Sequence, residues 1–315
     1  MKSSSGFLHR VAATPLVPVT LDPSLGPVWC KLEFMNPSGS TKDRIARHIL
    51  EKARCRGLLK PGDTVVEASS GSTSIALALA CAQMGFKFVA FIPCSATHER
   101  SLMIQAFGGE VIPVEGGMEK VLAAARAAGS EHGWFEARQF ENPDNTEAHR
   151  LFTGPEILSQ IDGHHVDAVV SGVGTGGTLR GLWEAFQSAG CEVSAHAAIP
   201  CHGDAIELNA ECCSLAFSPH VPGVVECLSS IYETWKATMP EGQLCERRID
   251  DRRCLELTRQ LWSLGYPVGP SSGLNVAAAL DVLEEKGPGH RVVTVFPDRM
   301  ERYFSHKVFE GLRCG

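Results

Sequence analysis

A parallel α/β fold is what this chain of 315 residues predicts. Three observations carry that expectation. Short apolar strands alternate with helical patterns of about 10–15 residues along most of the chain. Several strands run directly into turns of Ser, Thr and Gly that open the next helix, at residues 69–74 and 172–178. The composition, 44% hydrophobic and 21% charged, is that of a globular protein with ample chain for a core.

Taken in order, Thr14-Pro15-Leu16-Val17 leads to a strand expected over residues 28–35. A helix begins at Lys42, with Ile45, Ala46, Ile49 and Leu50 on one face. The cluster Gly57-Leu58-Leu59-Lys60-Pro61-Gly62-Asp63 is a turn, followed by a buried strand over Thr64-Val65-Val66-Glu67-Ala68. The spacing then predicts a helix to about residue 84, strand 86–92, helix 99–107, strand 110–113, helix 118–128 and strand 133–136. A helix over 146–160 leads to strand 166–171, a helix to about 188 and strand 193–199. Residues 200–246 mix His, Cys, Pro and Ser with short apolar pieces and read as irregular, with one helix near 231–238. A helix over 250–264 precedes Pro270-Ser271-Ser272-Gly273, which opens a helix to 285. Strand 292–296 and an amphipathic piece follow. No internal repeat or long linker marks a domain boundary.

Several function classes are excluded by charge and pattern. A net charge of −7 with no Lys/Arg block argues against nucleic acid as a partner. The longest apolar run, residues 75–82, is far short of a membrane span. The start, Met1-Lys2-Ser3-Ser4-Ser5, has no apolar h-region, so a cytoplasmic protein is expected. Twelve cysteines without a CxxC pair read as thiols in a reducing compartment. Cys212-Cys213 and Cys201-His202 lack the ligand spacing of a closed zinc site, so no metal is expected.

The chemistry concentrates in three stretches. In Asn36-Pro37-Ser38-Gly39-Ser40-Thr41-Lys42-Asp43-Arg44, Ser40 or Thr41 can cap the helix, which puts Lys42 in its first turn. The helix dipole is positive there, so a lysine has reason to shed its proton, and a neutral amine is what imine chemistry needs. The plainer alternative is a solvated lysine opening a surface helix. Gly174-Thr175-Gly176-Gly177-Thr178 has the composition of a phosphate cradle, with backbone N–H groups, hydroxyls and a helix N-terminus. It is neither a Walker A nor a dinucleotide fingerprint, so it suits a single phosphate, or else is a tight glycine turn. Residues 69–74 suit a carboxylate by the same physics, or form an ordinary N-cap cluster. Amine, phosphate cradle and carboxylate cradle together fit pyridoxal phosphate holding an amino acid.

On these residues the chain resembles the fold-type II pyridoxal-phosphate enzymes of the cysteine synthase and cystathionine β-synthase family. Asn36 to Arg44 is similar to that family's NPxGSxKDR segment. Further matches run in order: Thr14-Pro15-Leu16, Ser70-Gly71, Gln139-Phe140-Glu141-Asn142-Pro143, Thr153-Gly154-Pro155-Glu156-Ile157, the 174–178 loop, Ser271-Ser272-Gly273 and Pro297-Asp298-Arg299-Met300-Glu301-Arg302-Tyr303. They span nearly the whole chain. The resemblance implies a two-domain α/β fold like that of tryptophan synthase β, with a large cofactor-binding domain from 1–42 plus 151–315. A smaller, substrate-clamping domain would span 43–150. It implies pyridoxal 5'-phosphate on Lys42 as Schiff-base lysine and Cα proton carrier, with phosphate on Gly174, Thr175, Gly176, Gly177 and Thr178. Ser69, Ser70, Thr73 and Gln139 would hold the substrate carboxylate, and Ser271 or its neighbour Ser272 would meet the pyridine nitrogen. A hydroxyl there does not keep that nitrogen protonated, which favours prompt loss of a β-substituent, giving an aminoacrylate, over transamination or racemisation.

The departures bear on specificity. Ser72 stands where the family has Asn on the cofactor's 3′ oxygen and is expected to bind the cofactor there, by a closer loop or a bridging water, and Ala12-Ala13-Thr14-Pro15-Leu16 lacks the family's Asn. Gly223-Val224-Val225-Glu226-Cys227-Leu228 replaces the glycine-rich substrate mouth, and cystathionine β-synthases carry Tyr-Asp where Glu226-Cys227 stands. Glu226 and Cys227 are therefore specificity candidates. The implied activity is β-replacement on O-acetylserine or a related activated serine, with sulfide, giving L-cysteine. Alternatives are β-elimination or exchange on cysteine or serine, and a non-catalytic cofactor-binding partner protein. Small amino acids as substrates and a homodimer are expected.

Overall fold

Residues 13–201, 221–224 and 229–309 are described by the structure, a computed structural model. Among them are ten strands: β1 Leu16–Val19, β2 Val28–Lys31, β3 Thr64–Ala68, β4 Lys87–Pro93, β5 Glu110–Val114, β6 Phe135–Glu136, β7 Ala168–Gly172, β8 Ser194–Cys201, β9 Leu244–Asp250 and β10 Val292–Val295. The helices that matter for the site are α1 Lys42–Cys55, α2 Ser72–Met84, α3 His98–Ala106, α4 Met118–His132, α5 Pro143–Ala148, α6 Gly154–Gln160, α7 Gly177–Ser188, α8 Ser230–Thr238, α9 Asp251–Ser263 and α10 Pro270–Lys286.

The strands form two sheets. One has six strands in the order β1-β2-β10-β7-β8-β9, parallel except for the β1–β2 hairpin pairing. The other has four parallel strands in the order β5-β4-β3-β6. Parallel strands are covered on both faces and so read as continuous apolar runs, as β3, β7 and β10 do. In the larger sheet, one face packs on α9 and α10 through Cys254, Leu261, Leu274 and Ala278, and the other on α6 and α7 through Ile157, Leu179 and Phe186. In the smaller, α1 and α2 cover one face with Ile45, Ile49, Ile75 and Leu77, while α4 covers the other with Met118 and Val121.

Three expectations are corrected. The strand over 28–35 stops at Lys31, because the chain turns at Leu32 into a 3-10 helix over Glu33–Met35 whose Phe34 N–H donates to the Phe296 carbonyl. The helix over 146–160 is instead α5, a π-helical stretch His149–Thr153, and α6. Pro155 explains the break: it has no N–H to give an α-helical ladder, and the wider turn before it accommodates the missing bond. The irregular 200–246 stretch ends in β9, an edge strand paired with β8. Its charged residues face water or pair outward, as Arg247 does with Glu285, so no apolar run announces it.

Candidate active site

Strand C-terminal ends and helix N-termini from both sheets converge on one cavity. β3 runs through Ser69 and Ser70 into α2, β7 runs into α7, and β10 runs into Pro297 and Asp298. The first turns of α1 and α10 complete the wall. Open parallel sheets bind ligands at such ends, where helix dipoles and free N–H groups point.

Lys42 is the first residue of α1 and is half-buried in the cavity wall. Its amine makes no hydrogen bond or ion pair with the described residues. The cap differs from the sequence expectation: neither Ser40 nor Thr41 makes a side-chain N-cap bond by the usual pattern, although Ser40 Oγ accepts from Lys42 N at 3.3 Å. The loop before it is clasped instead by Asp43, whose carboxylate accepts from Ser38 N at 2.9 Å and Ser38 Oγ at 2.6 Å. Arg302 holds the same loop by donating to the carbonyls of Gly39 and Ser38, each at 2.5 Å. Burial pulls the Lys42 pKa below the usual lysine range, and the charges of Asp298 and Glu33 oppose it. Desolvation, rather than the helix dipole alone, is thus what favours the neutral amine.

Behind this turn lies a buried ion network. Arg44 reaches Glu33 with Nε and Nη2, both at 2.7 Å, and Glu156 with Nη1 and Nη2, both at 2.7 Å. Thr14 Oγ1 donates to Glu33 at 2.7 Å. Burial would raise the Glu33 carboxyl, but Arg44 and Thr14 outweigh it and hold the pKa at about 2. Bidentate pairing fixes both the rotation and the position of the first turn of α1.

The glycine loop after β7 closes tightly. A Cβ on Gly174 would lie 2.4 Å from the Gly223 carbonyl oxygen, and Gly176 caps α7 at φ +76. Gly174, Thr175 and Thr178 line the cavity, whereas Gly176 and Gly177 support the loop from behind. Thr175 Oγ1 accepts from Asn145 Nδ2 at 2.9 Å, and Thr178 Oγ1 pairs with His149 Nε2 at 3.1 Å.

After β3, Ser70, Ser72 and Thr73 face the cavity, and Gln139 reaches it from the segment after β6. Thr73 Oγ1 donates to Gln139 Oε1 at 2.5 Å, and Gln139 Nε2 donates to the Ala68 carbonyl at 2.8 Å. Ser69 is not in the cavity wall. Its hydroxyl braces the turn, pairing with Ser74 Oγ at 2.6 Å and accepting from Gly71 N at 3.0 Å. Ser271 lines the cavity, while Ser272 is fully buried with an unpartnered Oγ. Ser72 donates to Asp298 Oδ2 at 3.1 Å. Glu226 and Cys227 lie outside the described residues, as do His202, Cys212 and Cys213.

The sequence reading gave no role to several cavity residues. Asp298 is 95% buried by side-chain and backbone contacts, and accepts from Tyr303 OH at 2.7 Å as well as from Ser72. Arg100 donates to the Ser70 carbonyl at 2.7 Å and stacks over the Tyr303 ring at 4.9 Å. Asn275 Oδ1 accepts from Gly172 N at 2.6 Å. Asp298 and Tyr303 belong to a motif visible in the sequence. Arg100 and Asn275 sit inside helices whose pattern gives no sign of what they touch.

The family model for pyridoxal-phosphate dependent enzymes matches residues 8–298. The chain belongs to that family. A cysteine synthase of Staphylococcus aureus is 35% identical over 322 residues, covering 98% of each chain. An O-ureido-L-serine synthase of Streptomyces lavendulae is also 35% identical, covering 99% of this chain and 94% of its own. A crystal structure of O-ureido-L-serine synthase superposes with a TM-score of 0.85 at 33% identity, covering 98% of this chain and 96% of the other. An O-acetylserine-dependent cystathionine β-synthase from Helicobacter pylori superposes with a TM-score of 0.85 at 25% identity, over 97% and 98% of the two chains. This pyridoxal-phosphate dependent enzyme thus has the type II fold, is of the cysteine synthase type and uses pyridoxal 5'-phosphate.

The residues present fit that cofactor. Thr41 Oγ1 lines the cavity and is buried without a partner. Gly174 lets the loop pass against the Gly223 carbonyl, where no Cβ would fit, and the loop leads directly into the N-terminus of α7, which suits an anion. The described helices include none long and apolar enough to cross a membrane.

Proposed function

We propose that the enzyme carries out β-replacement on an O-activated L-serine such as O-acetyl-L-serine, with sulfide as nucleophile, giving L-cysteine. The observation that carries this is the meeting of a free lysine amine, a glycine–threonine loop, a Ser–Thr–Gln cluster and a serine hydroxyl around one cavity. When bound, pyridoxal phosphate supplies an electron sink for the bond-breaking at Cα. In this reading Lys42 anchors the cofactor covalently and, once released, moves the proton at Cα. Gly174 and Thr175, with Gly176, Gly177 and Thr178, hold the phosphate. Ser70, Thr73 and Gln139 hold the substrate carboxylate, with Ser69 shaping the turn behind them. Ser271, rather than the enclosed Ser272, faces the pyridine nitrogen. Ser72, tied to Asp298, orients that carboxylate instead of reaching the cofactor.

Residues 43–150 act as the clamp over the rest of the chain, because they supply Ser70, Thr73 and Gln139 from the smaller sheet. A cytoplasmic homodimer belongs to the same proposal. Among the described residues no cysteine is joined in a disulfide and most are buried, as suits a reducing compartment. Leu151 and Phe152, 44% and 41% exposed, give neighbouring apolar surface for a second copy.

The likeness to an O-ureido-L-serine synthase supports a second reading of the nucleophile, a neutral group such as the hydroxyl of hydroxyurea, whose product would be O-ureido-L-serine. Asp298 in the cavity wall is faced there by Arg100 and Lys42, so its charge alone does not choose between the two. The test is to give the holoenzyme O-acetyl-L-serine with either sulfide or hydroxyurea and identify the amino acid formed. L-Cysteine as main product supports the first reading and O-ureido-L-serine the second. Release of acetate with pyruvate alone would replace both with β-elimination.

A further inference from the structure

A buried carboxyl group sits behind the Ser–Thr–Gln cluster. Glu67, the penultimate residue of β3, has only 3% of its surface exposed and is not in the wall of the reaction cavity. One of its oxygens accepts from the backbone N–H of Ala68 at 2.7 Å and the other from that of Gln139 at 3.0 Å. Gln139 answers with its own side chain, which donates to the Ala68 carbonyl and accepts from Thr73. The residue before it, Arg138, has φ +53, a left-handed conformation that crowds its Cβ. Arg138 is itself exposed, and its side chain reaches only Glu136, at 3.0 Å. The strained backbone is therefore held by its neighbours, and Glu67 supplies the buried acceptor at the next N–H.

We infer that Glu67 is a positioning residue: it keeps Arg138 left-handed and thereby sets Gln139, beside Thr73, to receive the α-carboxylate of the amino acid substrate. This rests on the reading of Ser70, Thr73 and Gln139 as the carboxylate cradle. On its far side Glu67 borders a second, smaller cleft, where Arg126, Arg138, Glu136 and Glu141 are the other charged groups. Burial pushes its carboxyl up to about 8, against the pull of the two amide hydrogen bonds, and Glu136 adds to the rise. Ionised or protonated, both oxygens can still accept. Glutamine cannot replace them, because its NH₂ end would meet an N–H donor.

The experiment measures Kd for L-serine, a probe with the α-carboxylate of any serine-derived substrate, from the visible absorbance of the holoenzyme. Glu67→Gln should weaken binding about tenfold while the cofactor stays bound. Arg138→Gly alone should leave Kd near the wild-type value. In the Glu67→Gln background it should restore Kd to within about threefold, since glycine adopts positive φ without penalty. A purely structural role for Glu67 would lower thermal stability and gain nothing from Arg138→Gly. Arg138→Val, which leaves Glu67 untouched, should weaken binding by the opposite route even where Glu67→Gln fails to fold. Unchanged Kd in Glu67→Gln, an unrescued loss, or unchanged Kd in Arg138→Val overturns the inference. Gln139→Ala separates it from its premise. Weakened binding there with Glu67→Gln unaffected rejects the role of Glu67 alone, and unchanged binding in both rejects the cradle as well.

Discussion

His149 is fully buried between two threonine hydroxyls, with Nδ1 3.0 Å from Thr153 Oγ1 and Nε2 3.1 Å from Thr178 Oγ1. Burial pushes its pKa down to about 3; Glu33 opposes that, and Lys42, Arg44 and His48 add to it. A histidine held neutral in the folded state binds a proton only on unfolding, so its contribution is complete above the unfolded value and is lost as pH falls from about 6.5 towards 3. The full effect is at most about 5 kcal/mol. His196, lowered to about 4 by burial and then by Arg247 and Lys286, acts in the same window. Glu33, lowered to about 2, adds its loss only as pH falls below about 4.5. Glu67, held up at about 8, opposes this, because the folded state binds its proton more readily over the same range. Two histidines outweigh one carboxyl, so melting temperature should drop between pH 6.5 and 4.5, and His149→Gln should flatten the drop while lowering stability at pH 7. An identical acid slope in that variant would rule out His149 as a source. Lys42 and the 174–178 loop stand out in the sequence because their chemistry is local, and the structure brings Lys42, Gly174, Thr175 and Thr178 to one cavity. The Ser72–Asp298 contact was not, since 226 positions separate its partners.

At the level of elements, α7 and α2 present their N-termini to the same cavity from different sheets, and they should fail differently. Gly174→Ala puts a methyl group where the Gly223 carbonyl already stands at 2.4 Å, so this variant should lose cofactor on dialysis. On the proposed reading, Thr73→Ala removes one hydrogen bond to the substrate carboxylate, worth about 1.5–3 kcal/mol, and should raise KM roughly 10- to 100-fold with cofactor retained. Cofactor content and KM measured on both variants check the split; equal behaviour would mean that the two loops do not have separate ligands. The alternation of strands and helices was readable because parallel strands and their covering helices carry unmistakable apolar periods. β9 escaped because an edge strand needs only occasional buried residues, such as Ile249, among charged ones. The interruption at His149–Thr153 escaped because the apolar period runs on across it, while Pro155 alone signals the change.

Across the whole molecule, the segment after β10 ties the larger sheet to helices of the smaller one. Ser72 donates to Asp298 at 3.1 Å, Thr97 Oγ1 to the Arg302 carbonyl at 2.6 Å, and Ser305 Oγ to Glu99 at 2.8 Å. Thr97→Val removes one tie and should cost about 1 kcal/mol. Hydrogen exchange should then quicken in α3 and the residues before it, while α9 and α10 keep their protection. A uniform change over the chain would argue against a local tie. No such link is visible in sequence, because side chains that bridge sheets obey no period. The central claim is that these ties and loops exist to place cofactor and substrate against Lys42. Reduction of the holoenzyme with borohydride, followed by peptide mass analysis, tests it most directly. The cofactor should be found fixed on the peptide containing Lys42, and Lys42→Ala should carry none. A cofactor fixed on another lysine, or on the Lys42→Ala protein to the same extent, would contradict the account.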